Sequence, residues 1–267
     1  MIEAKSERLW ELIPRNAEVK QVAGGFQFTE GPVFSRRGYL LFSDIPAERI
    51  HKWERGKLTV FREKSGLANG LTFDHQGRLL TCEGAGRVTR TEKNGSITVL
   101  AAEGLGKPND LVYAIDGSVY FTDLPKSRVY QITRTNRSGG KVRLVAEDCP
   151  GPNGVALSPD QFKLFVADSK TRKVRLYPIE PDGALGQGRD FAETRCDGLK
   201  TDEGGNVWVA AGEGIRVYSA AGEELGLVRT PESASNCSWG AGFRGLYITA
   251  QKSVYHVPTR ASGTRTF

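Results

Sequence analysis

A unit of about forty residues recurs six times along the chain, and this period constrains the fold more than any other feature. Each copy has a pair of turn residues followed by a short strand of β-branched and aromatic residues. The pairs are Arg37-Gly38 before YLLFSD, Gln76-Gly77 before RLLTCE, Asp116-Gly117 before SVYFTD, Gln161-Phe162 before KLFVAD, Gly204-Gly205 before NVWVAA and Phe243-Arg244 before GLYITA. These strands end at positions 44, 83, 123, 168, 211 and 250, which are 39, 40, 45, 43 and 39 residues apart. Four-stranded propeller blades repeat at this interval. In the third copy, segments 110–115, 118–123, 128–133 and 141–147 alternate as strands and are separated by turn chemistry. The chain is therefore expected to be all-β, a six-bladed β-propeller with four antiparallel strands per blade. Only residues 6–13, with Leu9, Trp10, Leu12 and Ile13, suggest a turn or two of helix.

The ends support a closed ring. After the sixth copy, residues 253–258 offer a third strand and the chain then runs into a polar tail, while an orphan strand lies at 17–23. If the orphan completes the last blade, no sheet edge stays open. A length of 267 residues, which at roughly 150 residues per domain would suggest nearly two domains, then reads as one domain over 1–267, with the propeller over 16–257 and the tail over 258–267. The 32 glycines follow from the number of turns.

Composition excludes several classes. No apolar run approaches the ~18 residues of a membrane span. The net charge of +6 is spread along the chain, and its densest group, Lys170, Arg172, Lys173 and Arg175, alternates with Thr171 and Val174 like the solvent face of a strand. Neither nucleic acid nor membrane is an expected partner. Met1 is the only methionine, so no thioether ligand is available. Cys82, Cys149, Cys196 and Cys237 are far apart and read as buried thiols rather than a disulfide framework or metal site. Residues 1–13 carry Glu3, Glu7 and Glu11 and lack the apolar core of a signal peptide, so a cytoplasmic location is expected.

Fourteen residues before five of the strand ends, and fifteen before the fourth, stand Glu30, Asn69, Asn109, Asn153, Asp197 and Asn236. Each begins the first strand of its copy, the strand that lines the axial channel of a propeller. Turn chemistry favours Asn and Asp at such places, but it would accept Ser, Pro or Gly equally well, so six acids and carboxamides in register point to a ring at one channel mouth. Two carboxylates among amide oxygens form a hard-oxygen site suited to Ca²⁺. Zn²⁺ would usually bring imidazole or thiolate, and His51, His75 and His256 fall on a third strand, a turn and a third strand, away from the ring. A Ser-His-Asp triad is therefore not expected.

The segments FTEGPVF, GYLLFSDIPAERIHKW, KPNDLVYAIDGSVYFTD, PNGVALSPD and CDGLKTDEGGNVWVA resemble the gluconolactonase branch of the senescence-marker-protein (regucalcin), gluconolactonase and luciferin-regenerating-enzyme family. The resemblance runs from about Gly24 to Val257. It implies a six-bladed propeller with a central divalent cation, Ca²⁺ ahead of Zn²⁺, Mn²⁺ or Mg²⁺, and hydrolysis of sugar lactones. The family's metal-binding Glu, Asn and Asp fall on Glu30, Asn153 and Asp197. Its substrate-facing Asn, a fourth metal ligand in the related diisopropylfluorophosphatase, falls on Asn109, and a basic residue that touches substrate in some members falls on Lys107. The loop before Asn109 is the short GLGKPND and the turn after Thr122 is Asp123-Leu124-Pro125, so the loops over the site are reduced.

On this resemblance the cation polarises the lactone carbonyl and Asp197 is the general base. Asn69, Asn109, Asn236 and Lys107 orient the substrate, while Asp123 reads as a surface acid before it reads as a site residue. The expected partner is a small lactone, and the chain is expected to be a monomer or weak homo-oligomer. An organophosphate or phosphoester hydrolase on the same metal, a non-catalytic calcium-binding propeller, and a strictosidine-synthase-like propeller are the alternatives. The completeness of the acid and amide ring disfavours the last.

Overall fold

Short segments of alternating polarity, closed by turns that suit them, fold as antiparallel meanders. At the turn after Tyr113 the Asp116 carboxylate accepts the Ser118 N–H at 2.8 Å, and Gly117 takes the left-handed conformation (φ 90°) that lets the chain reverse. The computed structural model describes residues 1–134 and 140–265.

Four sheets contain four strands each. The first is Thr29–Ser35, Tyr39–Asp44, Arg49–Glu54 and Lys57–Glu63; the second is Ala68–Phe73, Leu79–Glu83, Arg87–Thr91 and Ile97–Ala101. The third is Pro108–Tyr113, Val119–Asp123, Arg128–Ile132 and Val142–Ala146; the fourth is Pro152–Leu157, Lys163–Asp168, Lys173–Pro178 and Arg189–Glu193. The chain is thus all-β and antiparallel, with a short helix at Leu9–Leu12.

The rest of the chain differs from six separate four-stranded units. One eight-stranded sheet contains Leu199–Thr201, Val207–Ala210, Gly212–Tyr218, Glu224–Trp239, Arg244–Ala250, Ser253–Ser262, Lys20–Gly24 and Ile2–Ala4. The cause is the long strand Glu224–Trp239. Its first half pairs with Gly212–Tyr218 and its second half with Arg244–Ala250, so the chain leaves one meander and enters the next without a break. Ile2–Ala4 adds a strand outside Gly226–Val228. Lys20–Gly24 pairs with the C-terminal strand, as the orphan segment predicted.

The expected polar tail is partly woven in. The last strand runs to Ser262, Gly263 bridges to Asp202, and the Thr264 hydroxyl donates to the Asp202 carbonyl at 3.0 Å. Residues 266–267 of that tail lie outside the described residues. The basic group at 170–175 also differs from expectation. Lys170, Thr171 and Arg172 form a turn and only Lys173 onward is strand, where Lys173 and Arg175 pair with Asp190.

The core lies between sheets. Second strands such as Tyr39–Asp44 and Val119–Asp123 are buried along nearly their whole length because a neighbouring sheet covers each face, whereas the fourth strand Lys57–Glu63 is largely exposed. Val112, Ala114, Tyr120 and Val129 of the third sheet pack with Val155, Leu157, Leu164 and Tyr177 of the fourth. The four cysteines are free and buried. Among the described residues no helix is long and apolar enough to cross a membrane.

Candidate active site

The first strands of the four smaller sheets share one irregularity. Residues 30 to 33 oppose 43 to 41, 68 to 71 oppose 83 to 81, 108 to 111 oppose 123 to 121, and 152 to 155 oppose 168 to 166, so each first strand carries one extra residue there. A bulge of this kind bends the strand and re-aims a side chain. Glu30, Asn69, Asn109 and Asn153 stand at these bulges.

At four of the six positions the residue that follows is a glycine packed against the next ring residue. A Cβ on Gly31 would lie 1.9 Å from the Asn69 carbonyl oxygen, one on Gly70 2.7 Å from that of Asn109, one on Gly154 2.4 Å from that of Asp197, and one on Gly198 2.0 Å from the Asn236 side chain. Glycine is required at these contacts because nothing larger fits between the strands. Asp110 follows Asn109 and reaches the N–H of Val155 with Oδ2 at 3.4 Å. Asn236 then donates through Nδ2 to Glu30 Oε2 at 3.1 Å, which returns the series to its start. The six residues predicted from spacing are thus arranged in one circuit.

Within the circuit Glu30 and Asn236 are buried, while Asn69, Asn109, Asn153 and Asp197 are half-buried and Lys107 is exposed. Asn236, expected to meet substrate, is committed elsewhere. Its Oδ1 accepts the Cys237 N–H at 2.8 Å, and its Nδ2 also lies 3.4 Å from Asp110 Oδ2. It acts as a bridge between carboxylates.

Asp110 was not singled out by sequence reasoning. It is 2 % exposed and accepts the Leu111 N–H through Oδ1 at 2.9 Å, and Lys200 Nζ lies 3.9 Å from its Oδ2. The available signal was that Asp stands where the other copies have Gly31, Gly70, Gly154, Gly198 and Cys237. Three carboxylates therefore influence one another. Burial, then the charges of Asp197 and Asp110, push the Glu30 carboxyl well above the usual carboxylate range. Burial and the Asp110 charge raise Asp197 in the same way, against a hydrogen bond from Asn153 and the charge of Arg195.

The acids that end the second strands hold the loops leading into this site. Asp44 accepts the Phe28 N–H at 3.0 Å ahead of Glu30, and Asp168 accepts the Gly151 N–H at 3.0 Å ahead of Asn153. Asp123 accepts the N–H groups of Gly106 at 2.6 Å and Lys107 at 3.0 Å. The expectation that Asp123 is a surface acid is corrected, since it is fully buried. Asp123→Ala is expected to leave two N–H groups without acceptors and to cost about 1–3 kcal/mol of stability in denaturant titrations.

The donor set suits a hard cation. Glu30 and Asp197 supply carboxylate oxygens, Asn109 and Asn153 supply carboxamides, and Asn69 Oδ1 is a buried acceptor with no hydrogen-bond donor. Among the described residues no group of three or more His, Cys, Asp and Glu is placed to hold a metal, so carboxamide oxygens would have to complete any such site.

Residues 28–252 match the model of the SMP-30/gluconolactonase/LRE-like region. A gluconolactonase of Zymomonas mobilis is 28 % identical over 97 % of this chain and 86 % of its own length. The solved structure of a gluconolactonase from Xanthomonas campestris superposes with a TM-score of 0.89 at 28 % identity, covering 97 % of this chain and 94 % of that one. Regucalcin of Agrobacterium tumefaciens, described as a calcium-binding protein, shares the fold with a TM-score of 0.80 at 17 % identity over 94 % of this chain and 96 % of its own. With the match to that family's model over most of its length, the chain belongs to the SMP-30/gluconolactonase/LRE-like family.

Proposed function

We propose that this protein is a lactone-hydrolysing enzyme that opens sugar lactones at the ring of first strands, with a divalent cation, Ca²⁺ by its donor set, held by Glu30, Asn109, Asn153 and Asp197. The observation that carries this reading is the closed circuit itself. It gathers carboxylates that raise one another's proton affinity beside carboxamides, and one hard dication among them offsets that repulsion. In this reading the eight-stranded sheet counts as two blades fused by Glu224–Trp239, which makes six, the last closed by Lys20–Gly24.

When bound, the cation supplies Lewis-acid polarisation of the lactone carbonyl. The chain's residues handle the proton. Asp197, hydrogen-bonded by Asn153, takes a proton from water as the water oxygen attacks the carbonyl carbon. The ring C–O bond then breaks, and the alkoxide leaving group takes that proton back from Asp197 to give the open hydroxy acid. Lys107 and Asn109 orient substrate hydroxyls. Asn236 keeps Glu30 in place rather than meeting substrate.

The test is a pH-stat assay of acid release across aldonolactones, aryl esters and phosphotriesters, with and without chelator. Lactone opening abolished by chelator and restored by Ca²⁺ is the expected result. Activity unaffected by chelation overturns the cation, and turnover of phosphotriesters alone overturns the substrate class.

A pH effect follows from the raised carboxyls. With the folded-state pKa of Asp197 pushed up to about 7, above the unfolded value of ~4, the stabilising protonated form is lost as pH rises through that range. The chelated protein is therefore expected to melt at lower temperature at pH 8 than at pH 5.5. Added Ca²⁺ should raise the Tm more at pH 8, because fewer protons must be displaced. Thermal melts at both pH values with and without Ca²⁺ check this, and an equal Ca²⁺ increment at both contradicts it.

A further inference from the structure

We propose that Asp110 and Lys200 form a built-in charge pair beside the ring that sets how tightly the site holds its cation. The inference rests on the cation reading above and goes beyond it in assigning two positioning residues. Four other first strands carry glycine at the place of Asp110, because neighbouring backbone passes too close for a side chain at Gly31, Gly70 and Gly154 and the Asn236 side chain does so at Gly198. Here a carboxylate is accommodated, and its contacts point both ways round the circuit. Asp110 Oδ2 lies 3.4 Å from Val155 N, 3.4 Å from Asn236 Nδ2 and 3.9 Å from Lys200 Nζ. Through Asn236 the same oxygen is one residue removed from Glu30 Oε2.

Lys200 stands three residues after Asp197 on the strand Leu199–Thr201, with its side chain 25 % exposed and its ammonium donating to the Leu199 carbonyl at 3.0 Å. It lines a cavity with Leu71, Leu111, Ala156, Ser238 and Trp239, residues that stand two or three places after ring positions. Lys200 thus reaches Asp110 from a cavity whose lining includes neither Lys107 nor Arg195. The charges then balance. Glu30, Asp110 and Asp197 carry three negative charges, and a dication with Lys200 carries three positive ones. Removing Lys200 leaves the dication in a site one charge more negative, and removing the Asp110 charge leaves Lys200 repelling it without compensation.

Calcium affinity measured by titration calorimetry, on protein first freed of metal, reads the pair without reference to turnover. Lys200→Met is expected to tighten Ca²⁺ binding by about tenfold, Lys200→Arg to stay near wild type, and Asp110→Asn to weaken it by about tenfold. The double variant Asp110→Asn/Lys200→Met should bind more tightly than Asp110→Asn alone and return to near wild-type affinity. A purely structural role for Lys200 predicts the opposite sign, because Met at a site needing a hydrogen bond would loosen the ring. Wild-type binding with Lys200→Met unchanged or weakened overturns the inference alone. Wild type that binds no Ca²⁺ overturns the cation reading and the inference with it. Should Asp110→Asn fail to fold, the Met and Arg variants of Lys200 still decide the question.

Discussion

Asp197→Asn is expected to lower kcat for lactone opening by about a thousandfold while leaving the fold intact. General-base catalysis contributes roughly 10²–10⁴, and Asn has the same shape but cannot accept a proton at neutral pH. The backbone role of the position survives the exchange, because its carbonyl still accepts the Gly154 N–H at 3.1 Å and its N–H still reaches the Ala210 carbonyl at 2.9 Å. Asp197 was placed on the ring by spacing alone, and the structure adds its surroundings. It is half-buried at the ring and Asn153 hydrogen-bonds to it. Its proton affinity is raised by burial and Asp110 only in the metal-free protein, so its assignment as base rests on the family resemblance. Steady-state kinetics by pH-stat together with circular dichroism of the variant decide the matter. A rate within about threefold of wild type would remove Asp197 from the chemistry.

Glu30→Gln should act with opposite signs on function and on stability. Glu30 is the most enclosed carboxylate of the ring, fixed by the Gly31 N–H at 2.7 Å and Asn236 Nδ2 at 3.1 Å. Gln occupies the same space without the charge, so Ca²⁺ affinity is expected to fall by about a hundredfold or more, and the chelator-sensitive activity with it. The metal-free protein should become more stable at pH 8, because one of the mutually repelling buried carboxylates is gone. Calorimetry and thermal melts in chelator read the two effects separately. Unchanged Ca²⁺ affinity would remove Glu30 from the cation site, and a lower metal-free Tm would mean that its hydrogen bonds outweigh its charge.

The ring was legible because the distance from a first-strand start to a second-strand end is set by two short strands and a tight turn, and that distance hardly varies between copies. Glu30, Asn69, Asn109, Asn153, Asp197 and Asn236 could therefore be aligned without coordinates. What each does was less legible. Asn236 looked like its neighbours, yet its amide is taken up by Glu30 and Asp110. Asp123 looked like a surface acid because acids close several second strands. It is buried because the next loop lays its N–H groups on that carboxylate, a contact spanning 16 to 17 residues. Asp110 and Lys200 are 90 residues apart in sequence, and no local pattern relates them.

By itself, the sequence determined the all-β class, the period, the meeting of the two termini in one sheet and the identity of the ring residues. These follow from turn chemistry, strand alternation and repeat length, which are local. Only the tertiary structure decided which sheets merge, where the bulges re-aim the ring, which acids hold loops and which face one another, and that Lys200 comes within 3.9 Å of Asp110. Those outcomes depend on register and on distances between strands far apart in the chain, where a shift of one residue changes the side chain's direction and a single Cβ decides whether two backbones can meet.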